Sequence, residues 1–370
     1  MKKSLTVTWI TYLNFGTYLQ AYALQRCIRR AGFHNKIADD RQIVRQMGRK
    51  SRLTSCVRGL AYRLYLLLSS YGNLSRKSAR MYAAFRRDYL DIDSSFASLE
   101  ELGRTYNVYI AGSDQIWSPS ERVFHPYYYL SFTQRKKISY AASLGVSVCP
   151  EGYGTKAVPL LSSFSHLSVR EEEGSRILRN LLPDGKEVTT VLDPTLLIER
   201  TDWEHLSAPE SPLEGGYMAC YMLTPNEKYL KQVRQAADRE GKRLLVFATN
   251  RRLRPYADVF YPAGPREFLT AIRYADCVYT DSFHATIFSV LFRKEFFVFR
   301  RFSETDKVNQ NSRIENLFRL LGIEGRFIGE NKLNDGWSTV AAALEYEKIT
   351  ARLEEEREKS WHFLTHALND

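Results

Sequence analysis

Apolar residues come along this chain in short clumps, separated by polar loops and by stretches with helical spacing. Residues 4–10 (SLTVTWI) predict a strand, residues 14–16 a loop, and residues 17–32 (TYLQAYALQRCIRRAG) a helix that closes on Gly32. Further strands are expected at 107–112 (NVYIAG), 137–143 (KISYAAS), 166–170 (HLSVR) and 187–193 (EVTTVLD), with a helix starting near Glu171 between the last two. Clumps with apolar centres, alternating with helices, belong to a mostly parallel sheet covered on both faces.

The pattern restarts after residues 207–216 (SAPESPLEGG), whose Pro, Ser and Gly mark a linker. Strands are expected at 217–223 (YMACYML), 243–249 (RLLVFAT), 276–280 (DCVYT) and 296–299 (FFVF). Helices should run from Pro225 to about Glu240, over 265–274, from Phe283, and over about 337–367 as a long charged C-terminal element. A chain of 370 residues exceeds what one core usually supports. The expected fold is therefore α/β, two doubly wound Rossmann-like domains over 1–206 and 207–370, facing each other across a cleft. Such sheets bind ligands beyond the carboxyl ends of their strands, so the strand-exit loops are where function should sit.

Composition changes this picture little. The hydrophobic share of 44 % is that of a soluble globular protein. Cysteines 27, 56, 149, 220 and 277 are scattered, with no C-x-x-C and no Cys/His cluster, so reduced thiols in the cytoplasm and no metal are expected. The opening MKKSLTVTWITYL imitates a signal peptide, but its interleaved threonines suit a first strand better. No run approaches the roughly 20 apolar residues of a membrane-spanning helix.

Charge changes it more. The formal net charge is +11, yet twelve Lys/Arg and no Asp/Glu fall between Arg41 and Arg87, so one segment carries the excess. Within this basic insertion at 41–90, residues 52–71 (RLTSCVRGLAYRLYLLLSSY) set arginines among Leu, Val and Tyr at helical spacing. That suits a helix lying on an anionic membrane surface, at the inner face of the cytoplasmic membrane. The plainer alternative is a solvated basic face packed on its domain. No nucleic-acid module accompanies the charge, so nucleic acid is the disfavoured partner.

The strand-exit loops offer candidate chemistry, each with a plainer rival. Asn14 and Gly16 open a helix that could hold an anion, or form an ordinary turn and cap. In AGSDQIW (111–117), Ser113, Asp114 and Gln115 present polar groups to a substrate, and Asp114 could be a base or a cap, with Trp117 packing beneath. Arg170 could clamp a carboxylate or phosphate. The three glutamates after it sit in the first turn of a helix, satisfied by its dipole, so Arg170 is expected to be free. In ADCVYTDSFHATIFSVLF (275–292), Asp281 or Ser282 caps a helix, and His284 in its first turn is placed for proton exchange. Arg313 supplies a second loop cation. His34, His205, His362 and His366 read as surface residues, while His125 and His166 are left open.

Taken together, NFGTYLQAYAL (14–24), VYIAGSDQIW (108–117), KISYAASLG (137–145), LSVREEEG (167–174), VLDPTLL (191–197), TDSFHATIFS (280–289) and NSRIENLFRLLG (311–322) resemble the polysaccharide pyruvyl transferase family. The resemblance implies a GT-B-like pair of domains, with acceptor on the first and donor on the second. It implies transfer of pyruvate from phosphoenolpyruvate to two hydroxyls of one sugar, giving a cyclic ketal, with no cofactor, nucleotide or metal. By analogy His284 would be the general acid and Asp114 would orient or deprotonate the acceptor. Arg170, Arg313 and Ser282 would hold the donor, and Asn14, Gly16, Ser113 and Gln115 would line the acceptor side. The acceptor would be a sugar or a lipid-pyrophosphate-linked oligosaccharide for a capsule or exopolysaccharide. One departure stands out: relatives carry Arg-Leu-His where this chain has Ser282-Phe283-His284, which leaves the donor's cation to Arg170 or Arg313. The rival activities are a GT-B-like glycosyltransferase using a nucleotide sugar and a non-catalytic basic adaptor. A homo-oligomer is compatible with all three.

Overall fold

The computed structural model describes residues 2–41, 70–121, 123–302, 311–330, 333 and 343–370. Most of the basic insertion, including Arg58, Arg63 and the expected surface helix up to residue 69, lies outside the described residues.

Thirteen strands are described: β1 Lys3–Val7, β2 His34–Ala38, β3 Ile92–Asp93, β4 Val108–Ala111, β5 Lys136–Ser139, β6 Leu167–Val169, β7 Val188–Thr190, β8 Tyr217–Tyr221, β9 Arg243–Phe247, β10 Val259–Tyr261, β11 Cys277–Thr280, β12 Glu295–Phe299 and β13 Phe327–Ile328. The described α-helices are α1 Phe15–Arg30, α2 Ser70–Tyr89, α3 Leu99–Thr105, α4 Tyr153–Leu161, α5 Glu172–Leu181, α6 Pro194–Leu197, α7 Arg200–Leu206, α8 Glu227–Arg239, α9 Pro265–Tyr274, α10 Phe283–Leu291, α11 Ser312–Leu321 and α12 Tyr346–Asn369.

The first sheet runs β3-β2-β1-β4-β5, and isolated bridges Ile138–His166 and Ala142–Val169 link it to the β6–β7 pair. The second runs β10-β9-β8-β11-β12-β13. Every described pairing is parallel. Both orders reverse direction beside their first strand, the signature of a doubly wound Rossmann-like sheet. Two such lobes face one another in a GT-B-like arrangement.

Four strands escape the pattern of the sequence. β3, β10 and β13 are only two or three residues long. β2 hides its burial behind polar residues: Asn35 Nδ2 donates to Ser4 Oγ at 3.0 Å and Thr6 Oγ1 at 3.1 Å, forming a buried polar seam between β1 and β2. The C-terminal helix begins at Tyr346, later than the expected 337.

The lobes meet through aromatic packing. Phe15, in the first turn of α1, stacks on Phe268 of α9 at 4.5 Å and lies 5.2 and 5.6 Å from Tyr221 and Phe247 of the second sheet. Rings of this size dominate interface burial. α12 ties both lobes together: it packs on α11, while Leu192 N in the first lobe donates to Ser360 Oγ at 2.9 Å. α2, the described part of the basic insertion, is a crossover helix between β2 and β3. It buries Tyr82 and Phe85 against α1 and leaves Lys77, Arg80 and Arg87 exposed, so here the charge is the wet side of a packed helix. Among the described residues, no helix is long and apolar enough to cross a membrane.

Candidate functional site

Both sheets turn their reversal points towards one place. From the first lobe come the loop after β1, the exit of β4, and the exits of β6 and β7. From the second come the exits of β8 and β11 and the start of α11. Parallel register sets these exits level, with Val7 beside Ala111 and Tyr221 beside Thr280.

Arg170, at the exit of β6, has a side chain only 1 % exposed. Its Nη1 donates to Asp193 Oδ2 at 2.8 Å, Nη2 stands 3.9 Å from Asp114 Oδ1, and Nε stands 3.8 Å from Glu171 Oε2. The expectation of a free Arg170 is thus corrected. Glu171 is indeed occupied, since its Oε1 accepts from Ser143 Oγ, Leu144 N and Gly145 N at 2.9, 2.7 and 3.1 Å. But β7 lies beside β6, and its exit brings Asp193, a residue the sequence reading did not single out. Two guanidinium nitrogens, Nε and Nη2, are left without a hydrogen bond.

Asp193 is fully buried and fully engaged. Its Oδ1 accepts from Thr195 N at 3.0 Å and Thr195 Oγ1 at 2.6 Å, capping α6. Its Oδ2 accepts from Ser113 Oγ at 3.1 Å and Arg170, and lies 3.5 Å from His284 Nε2. Burial pushes this carboxyl up, but His284, Arg170 and the Thr195 hydroxyl outweigh it and hold Asp193 far below the usual carboxylate range.

Ser282 caps α10, its Oγ accepting from Ala285 N at 3.4 Å. Asp281 does not share that work. It binds the loop after β8, accepting from Leu223 N at 2.6 Å and Thr224 N at 2.9 Å, and burial pushes it up to about 6. His284 is 8 % exposed, and its ring fills the space above Gly16, where a Cβ would lie 1.9 Å from Nδ1. The other open histidines serve elsewhere: His125 Nδ1 accepts from Tyr127 N at 3.2 Å, and His166 Nε2 meets Asp370 Oδ2 at 2.9 Å.

Across the cleft, Asn14 caps α1 by accepting from Thr17 N at 3.3 Å. Thr17 Oγ1 donates to Asp114 Oδ2 at 2.6 Å. Asp114 caps no helix. It sits in the left-handed region at φ 76°, where its Oδ1 accepts from Gln115 N at 2.9 Å. That conformation is uncommon for a non-glycine residue, and aspartate adopts it more readily than most. Gln115 lies over Gly145, where a Cβ would come within 2.6 Å of its Nε2. Trp117 packs beneath, fully buried, donating from Nε1 to Tyr128 O at 3.1 Å.

Arg313, the second residue of α11, completes the group. Asn311 fixes its approach by accepting from Arg301 N and Phe302 N at 3.3 and 3.4 Å. The guanidinium groups of Arg313 and Arg170 share the Phe283 ring, 5.8 and 5.1 Å from its centroid. Burial and the neighbouring Arg170 push Arg313 down to about 10. Among the described residues no cluster of three His, Cys, Asp or Glu is placed to hold a metal. A cavity of about 280 Å³ between α11 and α12, lined by Gly322, Arg326, Lys348 and Arg352, includes none of these residues.

Arg170, Arg313, Asp114 and His284 therefore converge, with Ser113 and Ser282 bonded beside them and the first turns of α1 and α10 alongside. Two guanidinium groups, the carboxylates of Asp114, Glu171 and Asp193, an imidazole and two helix N-termini share this place. Asp193, Glu171 and Thr17 are the members the sequence reading missed.

Among solved structures, the chain is similar to the Staphylococcus aureus MnaA–UDP complex (10 % identity, 99 % of this chain and 91 % of that one, TM-score 0.46). It is also similar to UDP-GlcNAc 2-epimerase from Neisseria meningitidis bound to UDP-GlcNAc (10 % identity, 96 % and 100 %, TM-score 0.45). A third likeness is to the glycosyltransferase SnogD from Streptomyces nogalater (11 % identity, 99 % and 99 %, TM-score 0.43). No curated protein matches the sequence. The family model described as polysaccharide pyruvyl transferase matches residues 14–302, a span that takes in every candidate residue except Arg313, and the chain belongs to that family.

Proposed function

We propose that this protein transfers pyruvate from phosphoenolpyruvate to two hydroxyls of one sugar, forming a cyclic ketal and releasing phosphate. The observation that carries this reading is the pair of guanidinium groups, Arg170 and Arg313, held against one Phe283 ring beside His284. Burial and the neighbouring Arg170 disfavour the Arg313 cation, and an incoming trianion would relieve that cost. Arg313 takes the donor's phosphate or carboxylate directly, with Arg170 behind it sharing its charge between Asp193 and the donor. Ser282 and the first turns of α1 and α10 supply further donors to the anion.

The proton balance follows. One sugar hydroxyl adds to carbon 2 of the enol while His284 delivers a proton to carbon 3, so a C–H and a C–O bond form as the C=C bond is lost. Asp114, aligned by Thr17, takes the hydroxyl's proton. The second hydroxyl then displaces phosphate, which carries away the second proton. No redox partner and no resident cofactor enter this balance. Asn14, Gly16, Ser113 and Gln115 frame the acceptor side.

The acceptor fits a sugar on a lipid pyrophosphate, used at the cytoplasmic membrane face for a surface polysaccharide. The exposed Lys77, Arg80 and Arg87 of α2 suit an anionic carrier or headgroup. The test is incubation with phosphoenolpyruvate and a lipid-linked oligosaccharide, following ketal formation and phosphate release. Nucleoside diphosphate release from a sugar nucleotide, with no use of phosphoenolpyruvate, would overturn the reading in favour of glycosyl transfer.

A further inference from the structure

We propose that Asp193 is a positioning residue, which holds the His284 ring with Nε2 towards its carboxylate and so makes Nδ1 the nitrogen that exchanges the proton. The role in proton transfer rests on the proposed pyruvyl transfer, but the ring orientation stands on geometry alone.

Asp193 is fixed from three sides. Thr195 holds Oδ1 through two hydrogen bonds, and Ser113 and Arg170 hold Oδ2, so the carboxylate cannot turn away from the imidazole. His284 Nε2 is buried, 3.5 Å from that Oδ2, and makes no hydrogen bond to any other group. A shift of a few tenths of an ångström turns this contact into a charge-assisted hydrogen bond, and such contacts commonly tighten when a site fills. A neutral imidazole has one N–H, and a carboxylate beside one ring nitrogen selects the tautomer that points the N–H at it.

Gly16 lies against the face of the ring at Nδ1, so Nδ1 is the ring nitrogen left clear of Asp193. The first N–H groups of α1, at Phe15 and Gly16, have no intrahelical partner, so an anion held there would lie beside the imidazole. The carboxylate belongs to the first lobe and the imidazole to the second. The proton-exchanging nitrogen is therefore aimed only while the lobes are docked. After Nδ1 gives up its proton, the ring is left as the Nε2–H tautomer that Asp193 already favours, so no ring flip is needed between turnovers.

The test is ¹⁵N NMR of the full chain with labelled histidine, assigning His284 by the signal lost in His284→Gln. The expected result for the neutral ring is the Nε2–H tautomer in the wild type. Asp193→Asn should shift the ring towards Nδ1–H and lower turnover about 10²-fold. A wild-type ring in the Nδ1–H form overturns the proposal, as does an Asp193→Asn ring with an unchanged tautomer. The wild-type spectrum decides the matter even if the variant does not fold. It needs neither donor nor acceptor, so it reads independently of whether pyruvyl transfer is found.

Discussion

The imidazole of His284 occupies the place a side chain on residue 16 would need: a Cβ on Gly16 would lie 1.9 Å from Nδ1 and 2.3 Å from Cγ. The two residues stand 268 positions apart, on different lobes. The requirement for glycine here is one of space alone, since Gly16 lies inside α1 in ordinary helical conformation. Gly16→Ala is therefore expected to leave α1 intact, and even to favour it locally, because alanine is the better helix former. The methyl group must displace the imidazole from its present place beside Asp193. Turnover should fall by 10² or more, while circular dichroism stays unchanged. Normal turnover in a folded Gly16→Ala protein would remove His284 from the chemistry.

The two arginines should separate by readout. Arg170→Met leaves Asp193 buried without its closest cation, and breaking a buried pair in this way costs about 3–5 kcal/mol. A large fall in melting temperature is expected. Arg313 is placed differently: burial and Arg170 push it down to about 10, against the pull of Glu171 and Asp114. Arg313→Gln should lose less melting temperature than Arg170→Met, yet bind phosphoenolpyruvate about 10²-fold more weakly, the scale of one or two lost charge-assisted bonds. Calorimetric titration with phosphoenolpyruvate alongside thermal melts measures both. Equal donor affinity in Arg313→Gln and wild type would exclude Arg313 from the donor site.

Most of the architecture was legible because the central strands β1, β4, β8 and β11 are apolar runs bounded by small or polar residues. β2 was not, because His34, Asn35 and Lys36 read as surface, while Asn35 is buried and bonded to Ser4 and Thr6 of β1. The site was legible as a set of strand exits, since a doubly wound sheet sends those loops to one edge. Its pairings were not. Asp193 precedes Pro194 and Thr195 and reads as a helix cap, which its Oδ1 is, while its Oδ2 binds Arg170 and faces His284. A capping residue and a site residue share one side chain, and spacing along the chain cannot distinguish the two. The free Arg170 expected from the helix dipole failed for the same reason. The charges near it in sequence are the three glutamates, but its closest partner comes from the exit of the neighbouring strand.

Asp114 is held by two demands, a left-handed backbone at φ 76° and the hydrogen bond from Thr17. Asparagine tolerates that conformation and alanine does not. Asp114→Asn should keep the stability of the wild type within about 1 kcal/mol, while Asp114→Ala loses about 1–2 kcal/mol more. Both should lower turnover by about 10²-fold if the carboxylate serves the acceptor hydroxyl. Denaturant midpoints and steady-state rates of the two variants make the comparison. Near-normal turnover in Asp114→Asn would reduce Asp114 to a turn residue.

Asp40 offers a pH test in a separate part of the first lobe. It lies just beyond β2, fully buried, with Oδ2 accepting from Ile10 N at 3.4 Å and Thr11 Oγ1 at 3.2 Å, and Oδ1 without a partner. Burial pushes the carboxyl up to about 6, against the pull of those two donors and Arg86. Its neighbour Asp39, despite its own burial, is held below the usual range by Arg41 and Arg86. A carboxyl raised in the folded state binds its proton more tightly there than in the unfolded chain. Its stabilising contribution is therefore complete below about pH 4 and lost as pH rises through about 6. Asp40→Asn keeps the shape and removes the buried charge. The variant should be more stable than the wild type by about 2 kcal/mol at pH 7.5 and equal to it near pH 4, with the gap opening between those values. Urea denaturation of both proteins at pH 4, 5.5 and 7.5 measures the gap. A constant difference across that range would mean that Asp40 is ionised with an ordinary affinity for its proton, and that its buried Oδ1 is reached by solvent.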